Sequence, residues 1–250
     1  MQKKRGRRVI RWILGSVGVV LVLGLGGVLI WSQVGVMPAE PGPLASVREN
    51  PAITVTDAAE GIVLAPVQGD SDVGLVFVPG AKVDPWAYAA ILQGLAEDGV
   101  TVVITRPWLN LAFFDLRGLD AFTAAAPAID TWAVGGHSLG GVRACQLAAD
   151  ADALVLFGSY CATDISESGL AVLSLAGSED GLSTPEKIAD ARDLLPPDAE
   201  LIEIDGAAHA SFGDYGPQAG DGTPSLSDEQ MHETVSALLD DFAMTQLTDR

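Results

Sequence analysis

A strand-like run, Thr131-Trp132-Ala133-Val134, leads directly into Gly136-His137-Ser138-Leu139-Gly140, and that junction restricts the folds open to this chain. A serine with glycine two residues before and two after it fits a sharp strand-to-helix turn, where Cβ atoms at the flanking positions would clash. The turn leaves the hydroxyl exposed at the edge of a sheet. A strand that passes into a helix in this way belongs to a mostly parallel sheet with helices on both faces, since parallel strands need crossover connections.

The remaining pattern agrees with such a sheet. Apolar runs at 74–78, 100–105, 132–135, 153–157, 171–176 and 200–204 read as strands, with 53–56 and 61–66 as edge strands. Helices are expected over 85–98, 116–125, 139–149, 184–194 and 228–244, the last opened by Ser227 as N-cap. About a dozen residues separate the strands ending at Phe157 and starting at Ala171. That is too short for a cap domain, so an open cleft is expected.

The 48% apolar content of the 250-residue chain is concentrated at one end. Residues 12–31 carry no charge and begin and end with Trp12 and Trp31. Twenty helical residues rise about 30 Å, the thickness of a bilayer's hydrocarbon core. Lys3, Lys4, Arg5, Arg7, Arg8 and Arg11 precede the run, so the positive-inside rule places residues 1–11 in the cytoplasm. The reading is a single-pass cell-membrane anchor over 12–31 with the remainder extracytoplasmic. A cleaved signal peptide fits less well, because its apolar core would be about 7–15 residues and no small-x-small site follows Trp31. Arg7-Arg8 matches a twin-arginine signal poorly.

Residues 32–52, with Pro38, Pro41, Pro43 and Pro51, read as a linker to a domain spanning 53–246. Beyond residue 11, eight basic residues face 33 acidic ones, a net −25 that disfavours nucleic acid and polyanionic substrates. Cys145 and Cys161 are an even pair in an oxidising location. A disulfide and two buried thiols both remain open, and neither position suggests a metal site.

Parallel sheets gather functional groups at the C-terminal ends of their strands. A serine needs a base to take its proton, and the base needs a third group to orient it. His137 lies inside the elbow, with its ring expected to point away from the serine's reacting face, and His232 falls in the last helix and is expected on the surface. His209, five residues after the strand ending at Ile204, is the candidate base. Asp180 follows the strand 171–176 and is the candidate orienting acid, with Glu179 and Asp164 as alternatives. The order Ser138, Asp180, His209 suits this arrangement. Oxyanion donors are expected from the backbone N–H groups of Leu139 and Ala81, with Lys82 second. Trp86, Trp108, Asn110 and Lys82 are candidate pocket residues. The loop 213–225 reads as flexible and solvated, and its Asp214 and Asp221 fit no calcium-loop spacing.

Gly136-His137-Ser138-Leu139-Gly140-Gly141, Gly177-Ser178-Glu179-Asp180-Gly181 and Gly206-Ala207-Ala208-His209 resemble the α/β-hydrolase fold superfamily. The stretches 77–83, 107–112 and 209–216 resemble a small capless bacterial branch grouped with dienelactone-hydrolase-like enzymes. Serine stands where dienelactone hydrolases proper carry cysteine, so the resemblance implies hydrolysis without their substrate. The expectation is a serine hydrolase, carboxylesterase-like, that needs no cofactor and cleaves a neutral small-molecule acyl substrate. A non-catalytic binding domain, a structural membrane protein, and an acyltransferase or peptidase using the same three groups are the alternatives.

Overall fold

The computed structural model describes residues 2–68 and 72–247. Eight strands form one sheet: β1 (Ile53–Asp57), β2 (Gly61–Pro66), β3 (Val73–Val78), β4 (Thr101–Thr105), β5 (Thr131–His137), β6 (Ala153–Phe157), β7 (Ala171–Gly177) and β8 (Glu200–Ile204). Their order is β1-β2-β4-β3-β5-β6-β7-β8, and β1 and β2 run antiparallel to their neighbours while all other pairs are parallel. Only β1 of the two expected edge strands is at the edge, since β2 lies between β1 and β4.

The central strands are buried on both faces, which is why they read as unbroken apolar runs. Alternate residues of β3 show the division. Leu75 and Phe77 face α3 (Ala89–Glu97) and α7 (Asp228–Gln246), with Ile91, Leu95, Val235 and Phe242 in the same cluster. Val76 and Val78 face the other way, toward α4 (Asp120–Thr123) and α5 (Leu139–Leu147). The sixth helix, α6, covers Pro185–Asp190.

Three expected helices are shorter than their apolar pattern. Residues 85–88 form a 3-10 turn ahead of α3, and a 3-10 turn over 192–194 follows α6. The expected helix over 116–125 reduces to α4, preceded by 3-10 turns at Trp108–Asn110 and Ala112–Phe114. There Asp115 bonds the guanidinium of Arg117, whose Nη2 also donates to the carbonyl of Arg106 at 2.8 Å. These tertiary bonds hold the segment extended.

Between β6 and β7 the chain makes only turns and bends, consistent with the absence of a cap domain. Cys145 in α5 and Cys161 in this connection form a disulfide, with Cα atoms 5.6 Å apart. Closing a loop of 16 residues in this way contributes about 3 kcal/mol by chain entropy. The bridge forms because α5 lies over the sheet beside the end of β6, a neighbourhood that sequence separation does not reveal.

Helix α1 covers Gln2–Gln33, and its stretch Leu14–Gln33 is long and apolar enough to cross a membrane, with a mean hydropathy of 2.3. The segment 32–52 is more ordered than a linker. It contains α2 (Pro41–Glu49), whose Val47 is fully buried, and a bridge pairing Met37 with Val83. Pro41 and Pro43 misled the sequence reading, because in the first turn of a helix proline sacrifices no hydrogen bond.

Candidate active site

The elbow sits where the chain, having placed β4 on one side of β3, returns to place β5 on the other. In open parallel sheets such a reversal is where a ligand crevice is expected, at the C-terminal edge. Ser138 follows β5 with φ 53° and ψ −124°, a left-handed conformation that costs a non-glycine residue about 1–3 kcal/mol. Its surroundings enforce it. Ser138 N–H donates to Phe157 at 3.0 Å, and Ser159 Oγ donates to the Ser138 carbonyl at 2.7 Å. A Cβ on Gly136 would lie 2.5 Å from Gly140 C, and one on Gly140 would strike the carbonyls of Val78 and Pro79. The two glycines are therefore steric requirements of the turn.

His209 and Asp180, from the loops after β8 and β7, meet in a buried hydrogen bond, with His209 Nδ1 2.8 Å from Asp180 Oδ2. Asp180 Oδ1 accepts from Leu182 N–H and Ser183 N–H at 2.8 and 2.7 Å. A carboxylate so placed only accepts, so Nδ1 carries the ring proton and Nε2 is left as the basic nitrogen. Gly158, at φ 47°, passes close over this bond. A Cβ there would stand 3.1 Å from Asp180 Oδ2 and 3.2 Å from His209 Nδ1. Glu179 and Asp164, the alternative acids, make no such bond to the imidazole.

The His209 ring lies 4.4 Å, centroid to centroid, from the ring of His137, the residue next to Ser138. Ser138 is half-buried, and its Oγ hydrogen-bonds to no described residue, His209 included. Contacts of this kind commonly close only around a bound substrate.

His137, set aside on sequence, is fully integrated. Gly80 N–H donates to Tyr88 Oη at 2.9 Å, so the tyrosine proton is directed to His137 Nδ1, also at 2.9 Å. Burial, reinforced by the adjacent His209, holds the His137 pKa well below the ordinary histidine range. The His209 backbone favours the proton weakly, yet Nε2 makes no hydrogen bond. A neutral ring thus packs against the candidate base without competing for protons, and it ties the elbow to the turn after β3.

That turn holds the expected donors. Neither Ala81 N–H nor Leu139 N–H has an acceptor among the described residues. Lys82 N–H, the second choice, is already committed to the Asn110 carbonyl at 2.8 Å. The remaining pocket candidates also differ from expectation. Lys82 Nζ donates to the carbonyls of Trp31 and Val34 at 2.9 and 3.0 Å, closing the C-terminal end of α1. Asn110 Nδ2 donates to the Ser32 carbonyl at 3.1 Å. Trp86 packs on the core with Arg48 over its ring at 5.3 Å, so it belongs to the α2 contact. Trp108 is half exposed.

Asp221 is the residue that sequence reasoning missed. Its Oδ1 accepts from Gly181 N–H at 3.1 Å, His209 N–H at 3.0 Å and Gly222 N–H at 2.7 Å, and its Oδ2 from Ala210 N–H at 2.8 Å. One carboxylate thereby joins the Asp180 loop to the His209 loop. The segment 213–225 is fastened rather than free, with Asp214 N–H bonded to Ala87 and Ser225 N–H to Gly206. His232 is likewise not a lone surface residue, since its Nε2 lies 2.9 Å from Asp214 Oδ1. The usable signal was an aspartate followed by glycine shortly after the base, a pattern suited to capturing backbone N–H groups.

Among the described residues no cluster of His, Cys, Asp and Glu is built to hold a metal ion. The assembly offers a hydroxyl on a strained turn, an oriented imidazole and two uncommitted N–H groups, the elements of acyl-transfer chemistry. No curated protein sequence matches the chain. The sequence model of the alpha/beta hydrolase family does match, over residues 74–233, from β3 into α7. The chain belongs to the alpha/beta hydrolase family.

Proposed function

We propose that this hydrolase is a membrane-tethered serine hydrolase that cleaves an ester or related acyl bond outside the cytoplasm. Ser138 Oγ attacks the acyl carbonyl while His209 Nε2 takes its proton. Asp180 accepts from Nδ1–H and stabilises the imidazolium that forms. The oxyanion is received by Ala81 N–H and Leu139 N–H, which have no other acceptor among the described residues. His209 then protonates the leaving alcohol, and water, deprotonated by the same nitrogen, releases the acyl group from Ser138.

The observation that carries this reading is the buried 2.8 Å bond between Asp180 and His209, at the sheet edge that also presents Ser138. A purely structural ion pair would not need its imidazole beside the elbow, nor the adjoining N–H groups left without acceptors. The tether rests on Leu14–Gln33 and on the basic residues ahead of it.

The test is labelling of the full chain with a serine-reactive fluorophosphonate. The intact protein is expected to label at a single site and Ser138→Ala not at all. Equal labelling of both would end the catalytic reading.

A further inference from the structure

The mouth of the crevice and the end of α1 are one construction. Lys82 and Asn110, from the loops after β3 and β4, hold the last turn of α1 through Trp31, Ser32 and Val34, and Ser32 is fully buried there. Lys82 Nζ also stands 3.9 Å over the Trp31 ring. Met37 N–H bonds Lys82 and Asp84 N–H bonds Met37, at 2.7 and 2.9 Å, extending the junction past the helix. Among the described residues, the non-glycine residues at positive φ besides Ser138 are Lys82, Leu109 and Asn110, all at this junction. Strained backbone persists only where its neighbours over-determine it. Side-chain and backbone hydrogen bonds together join α1 to these two loops.

Around the junction the surface is apolar. Of the seven large apolar side chains exposed beyond residue 34 among the described residues, four are Trp108, Phe113, Phe114 and Leu116, with Leu116 78% exposed. The turn at 108–110 lies against α1, and the turn at 112–114 lies against α5, the helix that begins at Leu139. The ridge thus runs from the bilayer-length helix to the nucleophile's helix. Asn110 touches the residue after Trp31, at the depth where a bilayer's headgroups begin. Trp108 can be at most about 7 Å from Asn110 and Phe114 about 14 Å. The headgroup layer is itself about 5–7 Å thick.

Charge points the same way. Lys82, Arg106, Arg117 and Arg143 are half of the eight cations that follow residue 11; Lys82, Arg117 and Arg143 adjoin this ridge, and Arg106 reaches it through its backbone carbonyl while its guanidinium turns to Asp57 and Ala58. Arg106 and Arg117 face Asp57 and Asp115, while Lys82 and Arg143 have no acidic partner among the described residues. Glu60 also acts on Arg117, so the cations here offset Asp57, Glu60 and Asp115 in a domain that is otherwise strongly acidic, and Lys82 and Arg143 are left to meet phosphate headgroups.

We infer that Trp108, Phe113, Phe114 and Leu116 dip into the outer surface of the bilayer, and that the acyl substrate of Ser138 is a long-chain lipid ester drawn from it. The inference rests on the proposed hydrolase reading. In it the chain of the ester stays in the apolar ridge while its carbonyl reaches the elbow.

The test uses the full chain in vesicles of phosphatidylcholine and phosphatidylglycerol. An environment-sensitive thiol dye is placed at Leu116→Cys and, as control, at Leu201→Cys on β8. The dye at position 116 is expected to shift to the blue and to be quenched by nitroxide-bearing lipids, and the dye at 201 to do neither. A water-like, unquenched dye at 116 overturns the proposal, as does one that is shielded but unquenched, which would mean that a second copy covers the ridge. Independently, replacing Phe113 and Phe114 by serine should lower the ratio of kcat/KM for a sixteen-carbon ester over a two-carbon ester by about tenfold, from the lost apolar burial. An unchanged ratio would refute the substrate class. Quenching at 116 in a protein that no phosphonate labels would leave the membrane contact standing and remove the hydrolase reading beneath it.

Discussion

The two halves of the crevice are secured by different means. On the His209 side, the loops after β7 and β8 are fastened to each other, through the Asp180–His209 bond and through the four N–H groups gathered by Asp221. On the Ala81 side, the loops after β3 and β4 are fastened to α1 and the chain that follows it. The Asp180–His209 pair is thus held within the sheet edge, while the turn carrying Ala81 depends on α1. His137 is the link between them, through Tyr88 to Gly80 on one side and by ring packing to His209 on the other.

Breaking the internal half should have the larger effect. Asp221→Ala leaves four N–H groups without their acceptor and lets the loops bearing Asp180 and His209 drift apart. A misplacement of about 1 Å at such a site costs on the order of 10² in rate, and the loss should fall on kcat rather than KM. Asp221→Asn keeps an acceptor oxygen and should recover part of the rate, which a merely space-filling role would not predict. Breaking the half held by α1 should cost less. Lys82→Met removes the cation–π contact and the cap on α1, worth about 0.5–1 kcal/mol, so a few-fold loss of kcat/KM is expected. If Lys82→Met proved the costlier change, the contrast between the two halves would be inverted.

The smallest effect lies outside both halves. Asp240 on α7 is pushed up to about 7 by burial first, and by the hydrogen bond and charge of Asp98. A carboxyl whose folded pKa exceeds its unfolded value binds its proton more tightly in the native state. Its penalty on stability therefore develops as pH rises from about 4 to about 7, then stays constant. Asp240→Asn should raise Tm at pH 8 and leave it unchanged at pH 4, as read by thermal unfolding, with no change in the relative order of the two crevice variants. A Tm gain equal at both pH values would contradict the sign.

What could be read from sequence follows from the range of the interactions involved. The elbow, the buried strands and the positions of Asp180 and His209 are encoded by local pattern: glycine spacing, apolar runs and the first polar residues after them. Asp221 acts on backbone atoms up to 40 residues away, so no periodicity announces it. The role of His137 depends on Tyr88, 49 residues earlier. Lys82, Trp86 and Asn110 were expected in a pocket because they follow strands or flank the crevice in sequence. The docking of α1 and α2 onto those same surfaces claims their side chains instead. Similarly, Pro41 and Pro43 suggest a linker by composition, whereas the burial of Val47 makes the segment a docked helix, and the shortened α4 reflects Arg117 bonding back to Arg106.

The most direct measurement is a crystal structure of the full chain after reaction with a phosphonate. Phosphorus bonded to Ser138 Oγ, with one phosphonyl oxygen within hydrogen-bonding distance of both Ala81 N–H and Leu139 N–H, is the predicted result. Phosphorus on another residue, or an oxygen turned away from both N–H groups, would contradict it.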